Sequence, residues 1–266
     1  MRIEGSVVFV TGASEGIGAA CVTELQRRGA RVALVARTEE RLKALARPED
    51  LVITADLLDA DARQQAVTQA LNHFGRIDIL INNAGLGLSA PSWRAPDEQV
   101  RHMFELNFFA ALHLIQAIVP AMKKQRSGMI VNVGSTAGKI AMPWFTLYSA
   151  TKFALGALTN GLRMEVAHYG IQAMIVCPGF VRTEFHRHVL GGPPSGAERR
   201  GRPGEVTAQQ CARAIMDGIQ RNKRTVVVPR IAWALIVASR LFPVTVDNIL
   251  RRANWFMSEE QETPQP

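Results

Sequence analysis

The stretch "SVVFVTGASEGIGAACVTELQRRG" occupies residues 6–29. An apolar, β-rich run (6–11) enters a glycine-bearing turn. The turn leads into a segment with helical spacing (19–29) that stops at Gly29, a position suited to a C-cap. Gly12, Gly16 and Gly18 are spaced G-x-x-x-G-x-G. Glycines there let backbone come close to a pyrophosphate, and the helix behind them offers free N–H groups and the positive end of its dipole. A glycine trio alone could be a tight turn. Its place after a strand and before a helix points to a dinucleotide.

Outward from that unit the pattern repeats. "RVALVA" (31–36), "LVITAD" (51–56), "IDILINNAG" (77–85), "GMIVNVGS" (128–135), "IQAMIVCPG" (171–179) and "TVVVP" (225–229) continue the strand series. Helical patterns fill the gaps at 39–46 and at roughly 59–74, 97–125, 148–169 and 207–221. The strands are continuous apolar runs, as expected when helices cover both faces of a sheet. Alternation with right-handed crossovers predicts an α/β fold, a doubly wound parallel sheet with helices on both faces. One domain is expected over 1–257, with a lid at about 184–206, an apolar C-terminal segment at 231–253 and a flexible polar tail at 258–266.

The 266-residue chain is 47% hydrophobic, enough for a sizeable core. It carries a formal net charge of +8, so nucleic acid, an anionic membrane or an acidic cofactor come into consideration. No basic stripe interleaved with aromatics is present, which argues against nucleic acid. Cys21, Cys177 and Cys211 are far apart, without metal spacing, and read as small buried hydrophobes in a reducing, cytoplasmic compartment. The start of the chain runs straight into strand and turn, so no leader is expected. "IAWALIVASRLFPVTV" (231–246) is strongly apolar, yet Arg240 and Pro243 interrupt it short of the ~20 residues that span a bilayer. It is read either as a buried or dimer-packed helix or as a monotopic contact with a membrane surface.

The second strand ends at Ala36, followed by Arg37 and Thr38. An acidic residue there would hold a ribose 2′-hydroxyl. A small neutral residue followed by a guanidinium suits a 2′-phosphate instead. Ser14 and Thr38 could add hydroxyl donors, whereas Glu15 adds negative charge inside the loop. The reading is NADP(H), with NAD(H) possible. Asp56, after the third strand, could accept from the adenine amino group. Asn82 and Asn83, ending the fourth, could fix the turn and line the cleft.

"TGASEGIG" (11–18), "NNAG" (82–85), a Ser ending the fifth strand, "YSATK" (148–152) and "PGFVRT" (178–183) occur in this order. The set resembles the short-chain dehydrogenase/reductase family over about residues 5 to 230. The resemblance implies a dimeric or tetrameric Rossmann-type oxidoreductase that moves hydride between a nicotinamide and an alcohol or carbonyl. It places the catalytic set on Asn107, Ser135, Tyr148 and Lys152. It places cofactor contacts on Gly12, Ser14, Glu15, Gly16, Ile17, Gly18, Arg37, Thr38, Asp56, Leu57, Asn83, Ala84 and Gly85. Tyr148, Lys152, Pro178, Gly179, Val181 and Thr183 complete that set. Val181 and Thr183 match the positions that contact the nicotinamide carboxamide and ring, which implies transfer of the pro-S hydride.

Tyr148 and Lys152 lie four residues apart, one helical turn on one face. A free phenol has a pKa of about 10, and a nearby ammonium is expected to lower it. Tyr148 would then be general acid in reduction and general base in oxidation. Lys152 would also bond the nicotinamide ribose, Ser135 would hold the reacting oxygen, and Asn107 would hold a water that relays protons from Lys152. His186 and His188 lack a third ligand and read as solvated lid residues, so no metal is expected. Trp93, Met142, Trp144, Phe145, Leu147 and Phe180 favour an apolar substrate, of lipid, steroid or acyl type. Arg182, Arg187, Arg199 and Arg200 leave open a 3-oxoacyl thioester. A cofactor-binding regulator or scaffold without turnover is the alternative outside enzymology, and the helices at 97–125 and 148–169 suggest a homodimer or homotetramer.

Overall fold

A computed structural model of the chain describes residues 1–192 and 204–253. Seven strands form one parallel sheet: β1 (Val7–Thr11), β2 (Arg31–Ala36), β3 (Leu51–Thr54), β4 (Ile79–Asn82), β5 (Gly128–Val133), β6 (Ile171–Pro178) and β7 (Thr225–Val228). Their order across the sheet is β3-β2-β1-β4-β5-β6-β7, so β1 and β4 flank the point where the winding reverses. Neighbouring strands are in parallel register there, Val8 beside Val32 on one side and beside Ile79 on the other. A crevice opens beyond the carboxyl ends of the strands at such a switch point.

The helices between the strands are α1 (Gly16–Arg27), α2 (Glu39–Leu45), α3 (Ala60–Phe74), α4 (Asp97–Phe104), α5 (Ala110–Gln125), α6 (Thr146–Val166) and α7 (Ala208–Gln220). Two cores sandwich the sheet. Val8 and Val10 of β1 bury against Cys21, Leu25 and Ile215 from α1 and α7. Phe9, between them, buries on the other face with Val67, Leu114 and Leu162 from α3, α5 and α6. Successive side chains on a strand point to opposite faces, so a run apolar at every position needs cover on both. Cys21, Cys177 and Cys211 are free and buried, Cys21 and Cys211 in the first core and Cys177 in a smaller cluster with Leu155 and Val227.

Local features differ from the sequence expectation. The third strand stops at Thr54, so Asp56 lies in the following turn, where its Oδ1 accepts from the Leu58 N–H at 3.0 Å. The helix expected over 97–125 is interrupted by one π-turn, Glu105–Phe109. That span is long and apolar enough to cross a membrane, but Ala110, Leu114, Ile118 and Met122 bury one side of it against the sheet. The apolar C-terminal segment forms two short helices, α8 (Ala232–Leu241) and α9 (Pro243–Ala253), with Pro243 opening the second. In the expected lid, Glu184–His188 form a 3₁₀ turn, and Val189–Leu190 pair in parallel with Gly87–Leu88. The rest of the lid over 193–203, including Arg199 and Arg200, and the tail 258–266 lie outside the described residues.

Candidate active site

The glycine turn connects β1 to α1 at the switch point. Gly12 and Gly16 adopt φ of +61° and +56°, the left-handed region that glycine enters without a Cβ penalty. Gly18 is needed for space: a Cβ there would lie 2.0 Å from the Gly12 carbonyl oxygen. Asn83 holds the turn from the fourth strand, its Nδ2 donating to the carbonyls of Thr11 (3.0 Å) and Gly12 (3.2 Å). Thr11 Oγ1 accepts from the N–H groups of Asn83 (2.9 Å) and Ala84 (3.1 Å). Sequence reasoning missed Thr11. Its signal was a hydroxyl residue ending the first strand directly before the first glycine.

Glu15 sits at the N-cap of α1 without a side-chain cap, and the first turn holds no acidic residue. The leading N–H groups are therefore left for an external anion. The Glu15 carboxylate turns away to Arg41 Nη1 at 2.6 Å and to His188 Nε2. The Arg41 guanidinium thus offsets the negative charge that counts against a phosphate, and the His188 ring helps hold the carboxylate aside. Arg37 is exposed and makes no bond among the described residues, while Ala36 is buried. Thr38 is the N-cap of α2, Ser14 is half-buried in the glycine turn, and Leu57 is buried with its carbonyl accepting from Arg63 at 2.8 Å. A turn without room for a Cβ and a helix start free of acidic side chains fit the pyrophosphate of a nicotinamide dinucleotide.

The chemistry-bearing side chains converge at the carboxyl ends of β4, β5 and β6. Lys152 is buried on α6, with Nζ donating to the Val133 carbonyl at 3.2 Å and lying 5.6 Å from the Tyr148 ring centre. A Cβ at Gly85 would meet Asn107 Oδ1 at 2.9 Å and Lys152 Nζ at 3.4 Å, so the glycine lets the three elements close up. Ser135 caps a short 3₁₀ turn, its Oγ accepting from the Ala137 N–H at 3.1 Å, and it shares a hydrogen bond with Tyr148. The Pro178 carbonyl, 3.5 Å from Ser135 Oγ, is a competing acceptor for its one hydroxyl proton. The π-turn swings Asn107 inward, where Oδ1 accepts from the Leu86 N–H (2.9 Å). Asn107 Nδ2 donates to the Leu86 carbonyl (2.9 Å) and to Thr151 Oγ1 (3.1 Å). The Asn107 amide therefore clamps α6 to the loop after β4. Thr151, one residue before Lys152, was not singled out in the sequence.

Electrostatics here run against one expectation. Burial pushes the Tyr148 phenol up to about 12, and the Ser135 hydrogen bond only pulls it part of the way back. Burial pushes the Lys152 ammonium down to about 8. Proximity of Lys152 alone does not make the phenol acidic, because removal from water opposes both charged forms.

After β6, Gly179 donates its N–H to the Val228 carbonyl at 2.7 Å, and Val181–Arg182 pair with Val206–Thr207. Thr183 lies over the glycine turn, its Cγ2 being 3.3 Å from where a Cβ on Gly16 would stand. The mouth of the site is aromatic. Phe145 and Phe185 each stand 5.9 Å from the Tyr148 ring, and Trp93 is 6.4 Å from Trp144. Phe185 was not anticipated at the site. Beneath the sheet ends, Asn82 Nδ2 donates to Asn132 Oδ1, and Asn132 Nδ2 to Thr159 Oγ1, each at 2.8 Å. Asn82 is therefore a buried strand-to-strand link and does not line the cleft.

The family model described as short chain dehydrogenase matches residues 6–191. An uncharacterised oxidoreductase of Schizosaccharomyces pombe is 38% identical over 150 residues, covering 56% of this chain and 64% of that protein. A short-chain dehydrogenase of Burkholderia cenocepacia, solved in complex with NADP, is 28% identical. It superposes with a TM-score of 0.80 over 94% of this chain and 99% of that one. A short-chain dehydrogenase/reductase of Burkholderia phymatum, solved with NAD, shares the fold at 21% identity. Its TM-score is 0.81 over 100% of this chain and 99% of that one.

Proposed function

The chain belongs to the short-chain dehydrogenase/reductase family of oxidoreductases acting on CH–OH and C=O groups, and on that premise we propose that it interconverts a ketone and a secondary alcohol on a hydrophobic substrate with NADP(H). The observation that carries the reading is the buried Lys152 behind Tyr148, with Ser135 bonded to the same phenol. A bound nicotinamide would supply or take up the hydride at the substrate carbon. The chain supplies the proton: Tyr148 Oη gives it to the carbonyl oxygen in reduction and takes it back in oxidation. Ser135 Oγ holds that oxygen towards the phenol. Lys152 provides positive charge beside Tyr148 and a donor for the cofactor ribose. Asn107 and Thr151 keep the helix seated. The nicotinamide side would rest against Pro178, Gly179, Val181 and Thr183, and the pyrophosphate against Gly12, Gly16 and Gly18. Following the loss of nicotinamide absorbance with a panel of aliphatic, aromatic and steroidal ketones tests this. No turnover across the panel supports the scaffold alternative.

The Phe145, Phe185 and Trp144 wall favours the apolar substrate class. Two of the four arginines that would draw an acyl thioester already have carboxylates, Arg187 with Glu184 at 2.6 Å and Arg182 with Glu205 at 3.8 Å, and the other two lie outside the described residues. For the cofactor, unpaired Arg37 and a Glu15 carboxylate paired with Arg41 support NADP(H). Arg37→Asp is expected to lower kcat/KM for NADPH by about 10- to 100-fold, the range of a lost charge-assisted bond, while sparing NADH. Equal or better turnover of the unsubstituted chain with NADH at matched concentration overturns the preference.

The pH response follows from the two buried groups. Below about 8 Lys152 is cationic, and above it the charge is lost. Tyr148 keeps its proton up to about 12. The donor for reduction is therefore always loaded, and the falling partner is Lys152. Plotted against pH, kcat/KM for ketone reduction should decline as pH rises through about 8. Alcohol oxidation, which needs the phenolate, should rise only as pH approaches about 12. A reduction profile flat between about pH 7 and 9 removes Lys152 from the proton path.

A further inference from the structure

Two helices at the end of the chain are poorly explained by folding alone. Ile236 of α8 and Val246 of α9 are buried, at 2% and 3% exposed. Ile236 packs with Ile140, Leu155, Cys177 and Val227 beside the catalytic helix and the last strand. That narrow stripe ties the pair to the body of the molecule. Ala232 and Leu250 also pack against this cluster, but most of the other apolar side chains face outward: Ile231 is 73% exposed, Leu241 66%, Phe242 63%, Val244 71% and Ile249 56%, with Trp233 at 41%. A helix apolar on nearly all sides is ordinarily enclosed, and exposed apolar patches of this extent mark a surface that is covered in use.

The charges around the patch say what covers it. Arg230, Arg240, Arg251 and Arg252 bracket the two helices, and all four are exposed. Asp247 is the sole acidic residue between Arg230 and Arg252. None of these arginines is in an ion pair or side-chain hydrogen bond among the described residues, although several exposed arginines elsewhere are paired, such as Arg101 with Asp97 and Arg187 with Glu184. A second copy of the chain is a poor occupant. An isologous contact would set the four arginines against the partner's four with one carboxylate each to offset them. A bilayer-spanning role is excluded by length, since α8 has 10 residues and about 20 are needed. Apolar side chains ringed by unpaired cations match the acyl-headgroup boundary of an anionic membrane. There the rings and branched chains enter the apolar zone and the arginine stems reach back to phosphate.

We propose that α8 and α9 form a peripheral docking surface for anionic phospholipid. It sets the molecule on a bilayer with the α6–β7 edge of the catalytic domain against the lipid. The proposal does not depend on the substrate or cofactor assignment, because its readout is binding.

Co-sedimentation of the full chain with phosphatidylcholine vesicles, with and without phosphatidylglycerol, tests it. Partition onto the anionic vesicles should exceed that onto neutral ones by about 100-fold, the scale of three net surface charges. Added salt should remove most of that difference. Arg240→Gln with Arg251→Gln should lower anionic binding by about 30-fold and leave the neutral baseline unchanged. Leu241→Asp with Val244→Asp should abolish binding to both. All four positions are exposed, so circular dichroism and NADPH binding should be preserved in the variants. Three results each overturn the proposal: no binding to either vesicle, equal and salt-insensitive binding to both, or a lipid-free dimer that Leu241→Asp with Val244→Asp converts to monomer while vesicle binding is absent. If the variants fail to fold, the salt and headgroup dependence of the unsubstituted chain decides alone.

Discussion

Tyr148→Phe should lower kcat and kcat/KM for ketone reduction together by about 10²- to 10⁴-fold, the range for a removed general acid. The exchange takes away one oxygen and little else. The ring keeps its places 5.9 Å from Phe145 and 5.9 Å from Phe185, so the wall of the site survives. Lys152 keeps its bond to the Val133 carbonyl at 3.2 Å, and Asn107 keeps Thr151. NADPH affinity, read by fluorescence titration, should therefore change little. That pairing of a large kinetic loss with a small binding change separates a proton donor from a packing residue. Ser135→Ala should cost less alone, and the double variant should fall well short of the product of the singles, because both side chains act on one oxygen. Unchanged rates in Tyr148→Phe would remove the mechanism, leaving only the cofactor cradle as a reading of this site.

The architecture was legible because its signals are local and doubled. Val8, Phe9 and Val10 are all apolar since one core takes the first and third and the other takes the second. The glycine turn was legible because only a residue without a side chain fits at Gly18. What escaped the sequence depends on contacts far along the chain. Nothing in "ELNFF" foretells a π-turn. It is favoured by an amide at Asn107 bonding Leu86, 21 residues away. Glu15 looked like a liability, yet its partners Arg41 and His188 are 26 and 173 residues distant. The Tyr148–Lys152 spacing correctly gives a shared helical face. It carries no information on burial, and burial decides the direction in which both groups shift. The end of the third strand was overrun for a different, local reason: Asp56 turns its carboxylate onto the Leu58 N–H, a bond that competes with the ladder.

Gly18→Ala should weaken NADPH binding by about 10- to 100-fold, the equivalent of the ~1–3 kcal/mol that overpacking a tight site costs. The φ of Gly18 is not the issue, since Gly12 and Gly16 hold the left-handed positions of this turn. Space is. The added methyl would stand 2.0 Å from the Gly12 carbonyl oxygen, 2.6 Å from Asn83 Nδ2 and 2.8 Å from the Gly12 carbonyl carbon. Two of those atoms are backbone and cannot swing aside. Gly12 is further pinned by the Asn83 amide at 3.2 Å, and Asn83 is itself held by Thr11 Oγ1 at 2.9 Å. Relief therefore requires the turn to lift away from α1, and the same movement displaces the N–H groups that would meet the pyrophosphate. A control distinguishes this from general loss of stability. Gly75→Ala, at the C-terminus of α3, also removes a glycine with φ of +74°, but no atom lies within 4 Å of the point where its methyl would stand. That variant should lose roughly 1–2 kcal/mol of stability from backbone strain and bind NADPH as the parent does. If Gly18→Ala and Gly75→Ala behave alike, with melting temperatures lowered and cofactor affinity intact in both, the turn is a structural corner and the dinucleotide lies elsewhere.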